Sequence, residues 1–165
     1  MTRVHLATGL AIRRDGSGNA SVLMVASRYP NHADPLWNLP GGRQQRNELL
    51  AETVEREVFE ETGLRARSGA LAYVSESYDG PAIHFLNATF HLEILGDDLA
   101  RAPASDAGSD HVVEVAWIPV SEIAARTVVE VVREPLLAYV RGELSHRYAG
   151  YREAGVTIEW PDDST

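Results

Sequence analysis

The chain contains no cysteine. That excludes a disulfide framework, a thiolate metal site and a cysteine nucleophile. It has no apolar run near the roughly 18 residues that span a membrane. The first strand-like stretch is broken by Gly9 and followed by Arg13 and Arg14, which does not read as a secretory signal. A cytoplasmic protein with no membrane partner is therefore expected. Positive charge is short as well: 15 Lys and Arg stand against 24 Asp and Glu, a net charge of −9. Such a surface repels a nucleic-acid backbone and argues against polymeric DNA or RNA as a partner. A small phosphate compound remains open to it if a divalent cation sits between the two negative partners. There is no internal repeat and no low-complexity block, and 165 residues suit one domain spanning 1–165.

Along the chain, residues 4–12 read as a strand, 15–19 as a turn cluster and 22–26 as a short apolar strand, which together suggest an opening hairpin. A loop with two prolines covers 28–36. Trp37-Asn38-Leu39-Pro40-Gly41-Gly42 then forms a short strand ending in a tight turn. A helix is expected from an N-cap at Asn47 to a left-handed C′ residue at Gly63, with Leu50, Val54 and Val58 as its buried stripe. Strands follow at 70–76, 84–94 and 112–120, separated by a turn at 78–81 and a polar loop at 96–110. In 84–94, Leu86, Ala88, Phe90, Leu92 and Ile94 share one face and Asn87, Thr89, His91 and Glu93 the other, the pattern of a half-buried strand. Ser121 is placed to cap a short helical turn. A last helix is expected over 127–142, split or kinked at Pro135, before a tail at 148–165. Strands around one central helix, with another helix near the C-terminus, suggest a mixed sheet between helices.

The central helix carries Glu57, Glu60 and Glu61 within an arc of roughly 100°. At spacings of three and four their carboxylates are neighbours, and like charges there destabilise a helix by about 0.2–0.5 kcal/mol per pair. The arc borders the apolar stripe, so these groups belong at the edge of the core. Carboxylates crowded in that position call for a counter-charge, and magnesium or manganese supplies one because hard cations prefer oxygen ligands. A solvated acidic face is the ordinary explanation for three such glutamates alone. Glu52 and Glu55, on other faces, fit it. The preceding Pro40-Gly41-Gly42 turn, where glycine lets backbone approach a ligand closely, makes the combination less generic.

Gly42, five residues, Glu48, seven residues, then Arg56-Glu57-Val58-Phe59-Glu60-Glu61-Thr62-Gly63-Leu64 resembles the complete signature box of the Nudix hydrolase superfamily, residues 42–64 here. The resemblance implies an α/β fold, the Nudix α/β/α sandwich. It implies Glu57 and Glu61 as principal metal ligands, Glu60 as third ligand or base, the backbone carbonyl of Gly41 as a further ligand, and Arg56 paired with Glu48 to brace the loop against the helix. Two positions depart from the common pattern: Asn47 stands where many members have glycine, and Gln45 where an acid is common.

The implied chemistry is Mg2+- or Mn2+-dependent cleavage of a phosphoanhydride bond in a nucleoside diphosphate-linked substrate, a nucleoside triphosphate first (MutT-like). ADP-ribose or a nucleotide sugar is the alternative, and a nucleotide-sensing module without turnover is a reading of another class. The family's general base often lies in a later loop, where Asp110 and Glu114 are candidates, Asp106 a weaker one and His111 another. Arg28 and Arg43 are candidates to meet phosphates; Tyr73, Tyr78, Trp37 and Phe85 are candidates to stack on a base. Pro81 stands near where ADP-ribose enzymes of the family carry a proline, but its Asp-Gly-Pro turn needs no such explanation. Relatives are commonly homodimers, and the C-terminal helix with the Tyr148–Trp160 tail is the expected interface.

Overall fold

The computed structural model describes residues 1–99, 111–144, 146–153 and 155. In chain order the strands are β1 (Thr2–Leu10), β2 (Ile12–Arg14), β3 (Ala20–Ser27), β4 (Leu36–Asn38), β5 (Gly41–Arg43), β6 (Ala66–Asp79), β7 (Ile83–Ile94), β8 (Val112–Pro119) and β9 (Tyr148–Tyr151). The helices are α1 (Leu50–Thr62), α2 (Ile123–Arg126) and α3 (Glu130–Val140).

A mixed five-stranded sheet in the order β5-β1-β7-β6-β9 forms the frame. β1 runs parallel to β7 and antiparallel to β5; β6 and β7 form a long antiparallel hairpin. That hairpin turns at Gly80, whose φ of 57° costs a residue without Cβ nothing. One face of the sheet carries Ala7, Phe90 and Leu92, and α1 lays Leu50, Val54 and Val58 on it, as the period-four stripe predicts. On the other face Leu10 and Tyr73 meet Leu136 and Leu137 of α3 together with Met24 and Ile118 of a smaller sheet. The bond between a His91 ring nitrogen and the Tyr139 hydroxyl pins α3 there. The chain is thus an α/β protein with its mixed sheet between helices.

The smaller sheet corrects the expected opening hairpin. The chain changes sheets at Ala11: Leu10 still pairs with His91 of β7, while Ile12 pairs with Val22 of β3. Ala11 is buried, and its carbonyl accepts from the Leu23 N–H at 3.1 Å, so a small residue makes the crossing without leaving its backbone unpaired. The hairpin partner of β3 is therefore the three-residue β2. β3 itself is flanked by β2 and β4 on one edge and β8 on the other. It is buried on both faces from Val22 to Ser27, which explains its unbroken apolar run.

Other boundaries differ from expectation: the strand expected at 70–76 runs over Ala66–Asp79, and Ser121 lies within a turn of 3-10 helix at Val120–Glu122 instead of capping one. Asn47 does not cap α1; it holds a left-handed turn at φ 66°, a conformation asparagine tolerates. The helix begins at Leu50, where the Glu52 carboxylate accepts from the Leu49 N–H at 2.7 Å. Gly63 does end it in the left-handed region, with its N–H on the Phe59 carbonyl at 2.8 Å. The last helix is shortened to 130–140 because Thr127 and Val129 are extended, and Pro135 stands inside it without ending it. Finally, Tyr148–Tyr151 of the tail adds to the sheet as β9, parallel to β6. The Tyr148 hydroxyl donates to Glu76 at 2.6 Å, and Glu76 also holds His84 at 2.5 Å.

Candidate active site

β5 brings Gly41 and Gly42 under the C-terminal half of α1, and contact there admits no side chain. A Cβ on Gly41 would lie 2.2 Å from the Ala7 carbonyl oxygen, and one on Gly42 would lie 2.5 Å from Cδ of Glu57. The Glu57 carboxylate therefore rests directly on glycine backbone. Gly42→Ala is expected to displace Glu57, costing about 1–3 kcal/mol of stability and most of any activity that needs this carboxylate; a thermal melt alongside a turnover assay checks both.

Arg56 braces the loop. Its Nε and Nη2 bind the two oxygens of Glu48 at 2.5 and 3.0 Å, its Nη1 reaches Glu57 at 2.9 Å and Glu60 at 3.2 Å, and Nη2 also donates to the Arg43 carbonyl at 3.2 Å. The two-pronged Glu48 contact is the strong fork geometry of arginine with carboxylate. It holds the Glu48 carboxyl down at about 2, helped by the Gln45 N–H and the Thr53 hydroxyl. A carboxyl depressed in the folded state contributes stability above its unfolded value, near 4.5, and loses it as pH falls toward 2. Glu48→Gln is expected to flatten the loss of stability over that interval, measured by urea unfolding at a series of acid pH values; an unchanged acid limb would remove Glu48 from the account.

The three glutamates divide. Glu61 is almost fully buried, and one of its oxygens accepts from the Gly41 N–H at 2.6 Å. Burial pushes its carboxyl well above the ordinary range, with the charges of Glu57 and Glu60 adding to the effect. Burial also raises Glu57, against the pull of Arg56. Glu60 is the most exposed of the three and turns to Arg56. Among the described residues no three Asp, Glu or His side chains form a ready-made ion cage. The donor set nevertheless fits a divalent cation. Two desolvated carboxylates four residues apart share a cavity, and the guanidinium of Arg56 beside them is divided among Glu48, Glu57 and Glu60.

That cavity is lined by Glu57, Glu61, Gly41, Gly42, Arg43, Tyr29 and His111, among others. His111, at the head of β8, places Nε2 3.9 Å from Glu61. The remaining sequence candidates are spread out. Arg43 is on the cavity rim; Arg28 is exposed and lines no cavity wall described here. Tyr78 stacks on His84 with ring centres 4.6 Å apart, at the far end of β6 and outside both cavity walls. Glu114 is exposed on β8, opposite Ala26, and also lines neither. Asp106 and Asp110 lie outside the described residues.

A second, narrower cavity, about 110 Å³ against about 440 Å³, opens from the first: Leu6, Thr8, Tyr29, Asn38 and Leu39 line both. The candidates Tyr73, Trp37 and Phe85 are in its wall. Its floor is the polar face of the β7 alternation, with Asn87 and Thr89, continued on β6 by Tyr73, Ser75, Ser77 and Asp79. The hydroxyls of Thr8 and Thr89 bond at 2.8 Å, and the Asn87 amide nitrogen lies 3.0–3.3 Å from Thr89, Thr8 and Ser75. Residue-by-residue reading of the sequence misses this floor and Tyr29. The available signal was the alternation Val25, Ser27, Tyr29 running on past β3, and the in-register polar positions of neighbouring strands.

A model of the NUDIX domain matches residues 3–140. The MutT4 protein of Mycobacterium tuberculosis is 34% identical over 116 residues, 68% of this chain and 44% of MutT4, so the chain spans less than half the length of that relative. The MutT protein of Methanosarcina mazei Go1 superposes with a TM-score of 0.67 at 21% identity, covering 87% of this chain and 96% of that one. The NUDIX domain of Shewanella oneidensis NrtR, solved with ADP ribose, gives 0.62 at 19% identity, covering 88% and 90%. At these identities the structural likenesses speak to the fold.

Proposed function

This chain belongs to the NUDIX domain family, and we propose that it is a divalent-metal-dependent hydrolase that cleaves a phosphoanhydride bond of a nucleoside triphosphate. The observation that carries the reading is the pair Glu57 and Glu61, desolvated against Gly41-Gly42 at the mouth of a longer cleft. Buried carboxylates without full compensation are costly, and a site that keeps them is suited to an ion. Glu57 and Glu61 would be its principal ligands, with the Gly41 carbonyl and Glu60 completing the set; Glu60 takes that part, or the part of base, only on leaving Arg56. Magnesium or manganese bound there supplies positive charge to the phosphate oxygens and acidifies water.

The chain's own residues do the rest. Arg56 and Glu48 fix the helix against the loop, so that the carboxylates hold their positions as a substrate arrives. Arg43 on the rim offers a guanidinium to a phosphate. His111, Asp110 and Glu114 remain candidate bases; of the two that are described, His111 and Glu114, the cavity wall includes His111. The roomier cavity suits a polyphosphate with its ion, and the narrower one, walled by Trp37, Tyr73 and Phe85, suits a nucleoside.

No helix among the described residues is long and apolar enough to cross a membrane; a cytoplasmic location is part of the proposal. So is a homodimer through α3 and the C-terminal segment, which sedimentation of the whole chain tests. Incubation with a panel of nucleotides, each with magnesium or manganese, tests the activity. Nucleoside triphosphates are expected to turn over fastest. If ADP-ribose or a nucleotide sugar alone turns over, the substrate assignment fails; if nothing turns over while nucleotides bind, the sensing module replaces the enzyme.

A further inference from the structure

The polar floor of the narrower cavity is not uniform. At its near end Thr8 bonds Thr89 and the Asn87 amide nitrogen bonds Thr8, Thr89 and Ser75, while the buried Asn87 amide oxygen has no hydrogen bond among the described residues. At its far end Asp79 lines the wall, and its carboxylate has no hydrogen bond or ion pair among the described residues. No arginine, histidine or second acid accompanies it among the described residues that line this cavity. Asp79 follows Tyr73, Ser75 and Ser77 at alternate positions of β6, so all four face the same side of the sheet.

Register sets how far this end lies from the glutamates. Gly41 pairs with Thr8, whereas Asp79 pairs with Ile83, which pairs with Thr2. Thr8 and Thr2 are six residues apart on β1, about 20 Å along the strand. A nucleoside triphosphate laid lengthwise, with its terminal phosphates at the glutamates, is of about that length when extended; its sugar then lies past the hydroxyls of Thr8 and Thr89, over Ser75 and Ser77, and the edge of its base points toward Asp79.

Resting on the nucleotide reading above, we propose that Asp79 is a specificity-determining residue that reads the base edge and selects bases carrying an exocyclic amine, adenine, guanine or cytosine, over uracil and thymine. An ionised carboxylate only accepts hydrogen bonds. An exocyclic amine donates to it, and hydrogen bonds to a charged acceptor are the stronger kind. Uracil and thymine offer one ring N–H flanked by two carbonyl oxygens, and those oxygens repel the carboxylate. The apolar walls formed by Trp37, Leu36 and Val132 limit the water that would otherwise level the difference.

Isothermal titration of the whole chain, with magnesium present, against the α,β-methylene analogues of cytidine and uridine 5′-triphosphate tests this, because the two differ only in the amine or carbonyl at position 4 of the base and the matching absence or presence of a proton on ring N3. The wild type is expected to bind the cytidine nucleotide about 10-fold more tightly, the span of one hydrogen bond to a charged group. Asp79→Asn, nearly isosteric and able to donate to the uracil oxygen, is expected to bring the ratio to about one or invert it; Asp79→Ala is expected to weaken cytidine binding alone. Melting curves confirm that both variants fold. Equal binding of the two nucleotides by the wild type, or an equal loss of both in Asp79→Asn, overturns the proposal and assigns the carboxylate to the shared ribose. Binding of neither overturns the nucleotide reading itself, whereas the preceding outcomes leave that reading standing.

Discussion

Glu61→Gln is expected to make the metal-free protein more stable at neutral pH while removing its response to divalent ions and its turnover. The side chain is almost fully buried, it accepts from the Gly41 N–H, His111 stands 3.9 Å away, and the carboxylates of Glu57 and Glu60 have its own sign. Glutamine keeps the shape and still accepts from Gly41, but carries no charge to desolvate. Relief of a buried charge of this kind amounts to roughly 1–3 kcal/mol. In a domain of this size each kcal/mol moves Tm by about 2–4 °C. The wild type is expected to gain stability when magnesium or manganese is added, because an ion that binds only the folded state stabilises it by mass action; the variant should gain little. A surface acid with no functional role would show neither behaviour. A variant less stable than the wild type without metal, or one equally stabilised by the ions, would remove Glu61 from the site.

Arg56→Met is expected to have the opposite effect on the metal-free protein. One guanidinium serves Glu48, Glu57 and Glu60 and ties the Arg43 carbonyl to them. Its loss leaves mutually repelling, partly desolvated carboxylates around the turn. Breaking a buried pair costs about 3–5 kcal/mol. Glu60 is substantially exposed, so solvent screening reduces this to roughly 2–4 kcal/mol, or a fall in Tm of about 5–15 °C. Arg56→Lys is expected to recover only a small part, because an ammonium cannot grip both Glu48 oxygens and reach Glu57 as well. Divalent ions should restore part of the stability in both variants, since they answer the same excess of negative charge. Full recovery in the lysine variant would show that charge alone, and not the fork, braces the loop.

The site's chemistry was legible where it is local in sequence. The spacing of Glu57 and Glu61 and the close approach at Gly41-Gly42 follow from one helix and the turn before it, the Arg56–Glu48 pairing is what the family resemblance implies, and the structure joins those residues directly. Asn47 was legible in part: its tolerance of left-handed backbone could be read, but not that this would outweigh its capping role. What depends on register across the sheet was not legible. Asn87 and Thr89 alternate with apolar residues as solvent-facing positions do, and only the alignment of β7 between β1 and β6 turns that face into a cleft floor beside Thr8 and Ser75. The change of sheet at Ala11 was hidden by a continuous strand-like pattern through it. β9 was hidden because a four-residue edge strand is specified by its partner β6 and by the Tyr148–Glu76 bond more than by its own pattern. Tyr78 and Glu114 show the converse. Their residue types suit a site, but strand direction carries them away from it.

The central claim is that Glu57 and Glu61 make this chain a divalent-metal-dependent phosphoanhydride hydrolase. Phosphorus NMR of nucleoside triphosphates incubated with the protein tests it most directly. The account predicts nucleoside monophosphate and pyrophosphate forming only when magnesium or manganese is present, and no such products from Glu57→Gln or Glu61→Gln, both folded. Cleavage without a divalent ion, or more than a few per cent of wild-type turnover in both variants, would contradict it.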